Sequence, residues 1–469
     1  MNTSFMLDKK LKETVIELIN QHSNLQDVIQ AIIKYKGIPL LVGGAVRDLF
    51  LNIIPKDLDI EVYNISVEQL EEILSKFGTV IHAGKSFGVL RINTLDIDWS
   101  LPRSDSSGRK PSVVTEPNLD YTTSFGRRDL TINAMGINLA TYELIDPFNG
   151  AQDIKSKTLR SPRPEFFTED PLRFYRVMQF IARFEMTPDS TINQICKTMN
   201  LNGVARERIG QECDKMMLKS HRPSLGWRWV NSIGRLKELF PELAATCTTP
   251  QEYEWHPEGF VFEHLMQTCD SAAAQKYTDI EYKKMMVYAA LCHDLGKATT
   301  TKLIKGRLRS WGHDKAGVPI ARSFLTKLAQ PEQLIKKIGL LIEHHMAPLI
   351  FVKGGAKAGA YKRLALQLGN NLCIADLAFL SRCDARGRNG ESHLPLTTPV
   401  ERVDIFEANA QEFGVLYAPE KPLVTAQDLL GHISPGKALG SALDHAYQTQ
   451  IDKNITDKEY LIELVTKKY

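Results

Sequence analysis

Asp57 and Asp59 stand two residues apart in Asp57-Leu58-Asp59-Ile60-Glu61-Val62, where polar and apolar residues alternate. On a strand, residues i and i+2 project to the same face, so two carboxylates lie side by side and repel unless a cation sits between them. Hard divalent ions prefer oxygen ligands, and two-metal phosphoryl transfer uses such carboxylates to hold metals against the attacking hydroxyl and the leaving oxygen. A third carboxylate completes a site of this kind. Asp98, on the polar face of the alternating segment 95–101, supplies it if the two strands are neighbours, with Asp96 on the same face as its rival. Glu61 is read as solvated or structural.

A second set of ligand types follows much later: His264, then His293-Asp294 inside Ala290-Leu291-Cys292-His293-Asp294-Leu295-Gly296-Lys297, then His313, His344-His345 and Asp384. Imidazole plus carboxylate without thiolate suits Mn, Fe, Ni, Zn or Mg ions, and an adjacent His-Asp on a buried helix can serve one ion or bridge two. Taken singly, each histidine has the ordinary alternative of a satisfied core or surface residue.

Phosphate and base contacts have their own candidates. Gly43-Gly44 separates the apolar run 40–42 from Ala45-Val46-Arg47-Asp48-Leu49, which reads as strand, tight turn and helix; the glycines allow close backbone approach and the helix start offers unpaired N–H groups. Asp129 and Asn133, four apart on a helix face, can with Arg128 hold a ribose and a phosphate, a capping cluster being the alternative. Asp170 and Arg173, one helical turn apart, offer an acceptor and a forked donor to a base edge, or form a structural pair. A carboxylate accepts from the exocyclic amine of cytosine and adenine, whereas uracil and guanine place a carbonyl there.

The elements that must position these residues change character along the chain. Apolar residues at helical spacing (Leu11, Val15, Leu18, Ile19) give way at Gly37-Ile38-Pro39, strand-like alternation dominates to about Asp146, and helical periodicity runs from about Asp153 to the end. The pattern predicts an α/β head followed by an all-α body, with residues 353–359 (Lys-Gly-Gly-Ala-Lys-Ala-Gly) as a mobile loop. At 469 residues and 43% hydrophobic content, two to four domains are expected. A net charge of +3 argues nothing by itself, but basic residues cluster at 103–110, 127–128, 160–183, 353–363 and 382–388, where phosphates can be met. No apolar run reaches the roughly 18 residues of a membrane span, the amino terminus lacks a secretory pattern, and seven scattered cysteines without a C-x-x-C pair fit reduced thiols. A cytoplasmic protein without a membrane partner is expected.

Four ordered motifs then resemble one family. Gly43-Gly44-x-Val46-Arg47-Asp48 with Asp57-x-Asp59, Arg127-Arg128-Asp129-x-x-x-Asn133-Ala134, and Glu169-Asp170-x-x-Arg173 are similar to the signature of polymerase-β-like nucleotidyltransferases, specifically bacterial class II CCA-adding tRNA nucleotidyltransferases and poly(A) polymerases. The histidine and aspartate order resembles HD phosphohydrolases. The resemblance implies a nucleotidyltransferase head (mixed, largely antiparallel sheet with helices) followed by all-α neck, body, HD and tail helices. Its divisions are a helical segment 1–36, head 37–150, neck 151–215, body 216–255, HD domain 256–395 and tail 396–469. It implies addition of C, C and A to tRNA from CTP and ATP, with Mg²⁺ at Asp57, Asp59 and Asp98. Nucleotide contacts are implied for Gly43, Gly44, Arg47, Arg103, Arg127, Arg128, Asp129 and Asn133, and a protein template at Glu169, Asp170, Arg173 and Arg176. Residues 104–124 resemble the family's flexible loop. His264, His293, Asp294 and Asp384 would bind a divalent metal (Mn, Ni, Fe, Zn or Mg), with Lys297, His313, His344 and His345 as auxiliaries, for phosphatase, 2′-nucleotidase or 2′,3′-cyclic phosphodiesterase chemistry. The chain would be a monomer or homodimer. The alternatives are a poly(A) polymerase, a CC- or A-adding specialist, or an HD phosphohydrolase and RNA-binding regulator with an inactive polymerase site.

Overall fold

A computed structural model describes residues 4–83, 89–105 and 113–469; Arg109 and Lys110 of the 103–110 basic cluster and part of the 104–124 loop lie outside the described residues. The chain divides into two compact units, Met1–Val204 and Ala205–Tyr469. The division falls inside the segment expected as a neck. The helix Arg206–Lys219 packs on Ile280–Cys292 in the second unit, where Asp214 accepts from Lys284 at 2.6 Å and Tyr288 at 2.7 Å.

The strands of the first unit are β1 (Ser4–Met6), β2 (Ile38–Val42), β3 (Leu58–Tyr63), β4 (Val80–Ala83), β5 (Val89–Ile92), β6 (Leu95–Ser100), β7 (Arg103–Asp105), β8 (Val113–Thr115), β9 (Gly136–Asn138) and β10 (Glu143–Ile145). Eight form one sheet in the order β1-β10-β9-β2-β3-β6-β5-β4, and β7 pairs with β8 apart from it. Among the described pairings of the large sheet only β3 with β6 is parallel, so the sheet is mixed and largely antiparallel as expected. Alternation explains which faces are covered: Leu58, Ile60, Ile97 and Trp99 are buried, while Asp59 and Asp98 project to the other side. Residues 1–36 are not wholly helical, because Ser4–Met6 adds an edge strand to β10 ahead of the helices Lys9–Asn20 and Leu25–Lys34. In the second of these, Leu25, Val28, Ile29 and Ile32 are buried at helical spacing.

The second unit is almost entirely helical. Val261–Ala273, Ile280–Cys292, His313–Lys327, Glu332–His344 and Ile374–Arg386 pack around one another, and Ile280–Cys292 is buried on every side from Met285 to Cys292. Residues 353–359 are not a long loop: Ala347–Gly354 and Ala358–Leu368 are helices, and the first ends on a left-handed Gly355 that satisfies its last carbonyls. Near the carboxyl terminus, Lys437–Lys453 and Lys458–Thr466 close over Leu429, Ala442, Leu461 and Val465. No helix among the described residues is long and apolar enough to cross a membrane.

Candidate functional site

In the first unit the parallel register places Asp59 beside Asp98 and Glu61 beside Ser100. A cleft of about 210 Å³ is lined by Asp59, Glu61, Asp98, Ser100, Arg103, Arg127 and Arg128. Asp57 precedes β3 and adds its charge to that of Asp98. At the cleft mouth Asp59 is lifted above its ordinary range chiefly by loss of hydration; Arg128 and Arg91 pull it down while Asp98 and Asp57 push it up. Asp98 is held by Arg91, whereas the Asp96 side chain is 94% exposed and only 3.9 Å from that guanidinium. Asp98 therefore sits with Asp59, and Asp96 does not line the cleft.

Glu61 is buried, not solvated, and organises the cationic wall. Its carboxylate accepts from Tyr63 and Ser124 at 2.7 Å each, and from Arg127 and Arg128 at 3.3 and 3.4 Å. Burial works to raise it, but the two guanidiniums and two hydroxyls outweigh that and hold it below the usual range. Gly43, at φ +72°, is required here: a Cβ would lie 2.7 Å from Arg128 Nη1. Arg47 is buried, donates to Asp48 and to Asn133 Oδ1 at 2.7 Å, and lies over Phe184. Asn133 in turn donates to Asp129, which also accepts from Leu130 N–H and from Arg176 at 2.5 Å. Asp129 and Asn133 meet by this hydrogen bond, but they do not share a helix face: Asn133 ends the 3₁₀ turn Thr131–Asn133 and Asp129 precedes it. Asp170 likewise lies at the junction of a 3₁₀ helix and Leu172–Phe184, where its side chain accepts from Leu172 N–H, while Arg173 donates to the carbonyls of Phe166 and Arg127.

In the second unit five elements converge on one buried cluster. His264 Nε2 lies 3.2 Å from His293 Nε2 and 3.1 Å from Asp384; His313 Nε2 lies 3.1 Å from His345 Nε2. Asp294 stands between them, with Oδ2 at 3.4 and 3.6 Å from His293 and His264 and Oδ1 at 3.2 and 3.6 Å from His313 and His345. His293, His313 and His345 donate Nδ1–H to the carbonyls of Ala290, Ser310 and Ile342, and His264 shares its Nδ1–H between the Gly387 carbonyl and the Glu258 carboxylate. Carbonyls only accept, so all four Nε2 atoms are the ones aimed at Asp294. Such nitrogens, facing each other in pairs beside two carboxylates, are a donor set for divalent cations. The set divides into His264, His293 and Asp294 on one side and Asp294, His313 and His345 on the other. Burial works against protonation of His264, but Asp384 and Glu258 lift it to about 9, the same pull they would exert on a metal ion. Gly296 lets the helix His313–Lys327 come close, since a Cβ there would lie 2.0 Å from the His313 carbonyl oxygen.

The family described as the Poly A polymerase head domain matches residues 40–160. The Multifunctional CCA protein of Pasteurella multocida is 33% identical over 316 residues, covering 65% of this chain and 73% of its own, and that of Mannheimia succiniciproducens is 34% identical over 317, with the same coverage. The chain belongs to the multifunctional CCA protein family. Its fold matches the Thermotoga maritima CCA-adding enzyme complexed with tRNA (TM-score 0.61, 19% identity, 99% of each chain) and the Bacillus stearothermophilus CCA-adding enzyme in complex with CTP (TM-score 0.63, 18% identity, 93% of this chain and 96% of that one).

The structure also gathers residues that sequence reasoning leaves out. Glu258 accepts from His264 Nδ1 at 2.9 Å and His256 Nδ1 at 2.8 Å, and Arg388 grips Asp384 at 2.8 and 3.0 Å. Only Arg388, four residues past Asp384 on a helical pattern, left a sequence signal. Lys297 pairs with Asp294 at 2.6 Å and with Gln251 at 2.8 Å. His344 is half-buried and takes no part in the cluster; its neighbour His345 does.

Proposed function

We propose that this chain adds C, C and A to the 3′ end of tRNA from CTP and ATP without a nucleic-acid template, and hydrolyses phosphoesters at its histidine cluster. Family membership supports the reading, and the observation that carries the first activity is the Asp59–Asp98 register beside the Arg127–Arg128 wall. Asp57, Asp59 and Asp98 would hold Mg²⁺, which when bound neutralises phosphate oxygens and favours the ionised 3′-hydroxyl. That hydroxyl oxygen attacks the α-phosphorus of the nucleotide, the bond to pyrophosphate breaks, and pyrophosphate leaves. Arg127 and Arg128, aimed by Glu61, balance the charge of the triphosphate, and Asp170 with Arg173 reads the amine edge shared by cytosine and adenine.

In the second site His264, His293, Asp294 and Asp384 would hold a divalent ion, with His313 and His345 as further ligands beside Asp294. Ions there would supply a nucleophilic water at neutral pH. Water oxygen joins phosphorus, the ester bond breaks, and the departing oxygen takes the proton. Lys297 and Arg388 keep Asp294 and Asp384 ionised and turned inward. We place the enzyme in the cytoplasm, where its seven unpaired cysteines stay reduced.

The test is extension of a tRNA transcript lacking CCA, with Mg²⁺ and CTP, ATP or both, resolved at single-nucleotide length. Growth by CC with CTP and by CCA with both nucleotides is expected, and Asp170→Ala is expected to admit UTP or GTP. Repeated ATP addition would make the head a poly(A) polymerase, and no addition would leave the hydrolytic site as the working one.

A further inference from the structure

The histidine cluster opens into a cavity of about 480 Å³ whose outer wall is not explained by metal binding. Beside the metal-ligand types, two of its four lining arginines are Arg388 and Arg402. Arg388 holds Asp384, and Arg402 makes no hydrogen bond or ion pair among the described residues; the Nε atoms of both are buried without a hydrogen-bond partner. Arg402 loses hydration and is repelled by Arg388, an arrangement that an anion between them would relieve.

The rim is a hairpin of the strands Lys302–Ile304 and Arg307–Arg309, running directly into Trp311. Arg307, Arg309 and Trp311 alternate with Leu308 and Ser310, so three cationic or aromatic residues recur at period 2. The same three line the cavity and, with Ile304 and Lys305, an adjoining shallow groove on the hairpin. Trp311 is 73% exposed, and Trp255 across the cavity lining is 54% exposed. The nearby acidic groups are already engaged: Glu254 pairs with Arg307 at 3.3 Å and Glu252 accepts from Leu308 N–H at 2.9 Å.

Resting on the hydrolytic reading above, we propose that this hairpin is a track for single-stranded RNA, which seats the base next to the scissile phosphate on Trp311 and the following backbone phosphate on Arg309 and Lys305. Metal ligands and Arg388–Arg402 take the terminal phosphate. A basic groove interleaved with an exposed indole is what a strand with stacking faces and regular charges needs, and the groove continues away from the metals where a mononucleotide would have nothing to place. The track thereby favours an RNA end over a small phosphoester.

The experiment compares hydrolysis, by the full metal-loaded chain, of an oligoribonucleotide ending in a 2′,3′-cyclic phosphate with that of bis(p-nitrophenyl) phosphate, which has no base. Trp311→Ala is expected to lower kcat/KM on the oligonucleotide about 10- to 100-fold, mainly through KM, with Trp311→Phe restoring most of it and neither changing the base-free ester more than about twofold. Equal loss on both substrates, or no loss on either, overturns the track. If the wild-type chain hydrolyses neither, the hydrolytic reading fails, and oxidative footprinting of Trp311 decides the track by itself. Protection by a 3′-phosphorylated oligoribonucleotide but not by inorganic phosphate supports it, and absence of protection overturns it.

Discussion

The two ligand clusters use the same carboxylate chemistry in opposite settings. In the first unit, Asp57 and Asp59 are exposed, come from a strand and its approach, and have no imidazole partner among the described residues. In the second, four imidazoles and two carboxylates are buried on helix ends, each ring locked by a carbonyl. An exposed pair of oxygen ligands binds a hard ion loosely and leaves coordination positions for triphosphate oxygens, so its ion comes and goes with the nucleotide. A buried nitrogen-rich set holds a transition metal in place between turnovers. The comparison teaches that burial and ligand type are what would keep two metal chemistries apart in one chain.

The largest effects should come from removing a ligand on each side. Asp59→Ala is expected to reduce nucleotide addition by about 1,000-fold or more while leaving phosphoester hydrolysis within about twofold, and Asp294→Ala to do the converse. Single-nucleotide extension and phosphoester assays on the same preparations check this. Loss of both activities in either variant breaks the separation.

Next in size is the behaviour of the metals themselves. After brief chelation and desalting, addition should return at once with Mg²⁺, whereas hydrolysis should fall slowly and return only with a transition ion. Elemental analysis of the purified chain is expected to find a tightly held transition metal that Asp294→Ala loses and Asp59→Ala keeps. Equal exchange rates at both sites would remove the contrast in ligand setting.

What the sequence revealed of these sites follows from what each signal measures. Period-2 alternation located Asp57, Asp59 and Asp98 because strand geometry is local, and the ordered histidines and aspartates located most of the second cluster. Alternation also placed Glu61 on a face but could not show that Tyr63, Ser124, Arg127 and Arg128 would enclose it, since three of them lie more than sixty residues away. His256 and Glu258 escaped for a different reason: they are close in sequence to His264, but an irregular turn and not a helical or strand spacing brings them together. β1 pairs with β10 across some 140 residues, and three residues carry too little pattern to announce a strand. Lys353-Gly354-Gly355 misled in the other direction, because glycine after an apolar helix is as much a cap as a loop.

The smallest effect concerns what stiffens the first unit behind its exposed ligands. Burial would raise Asp129, but Arg176, Asn133 and the Leu130 N–H outweigh it and hold the group at about 2, below its ordinary 3.8. Because the folded value is the lower one, the unfolded chain binds the proton more readily, and the contribution is full above pH 4 and lost as pH falls through about 2. Its size is about 2 kcal/mol. Asp129→Asn should therefore lower the melting temperature of the first unit's transition at pH 6, and the gap to the wild type should narrow as pH drops from 4 to 2.5. A gap that stays constant would mean that Asp129 acts through packing alone. The network from Asp48 through Arg47, Asn133 and Asp129 to Arg176 would then be a consequence of the fold rather than one of its supports.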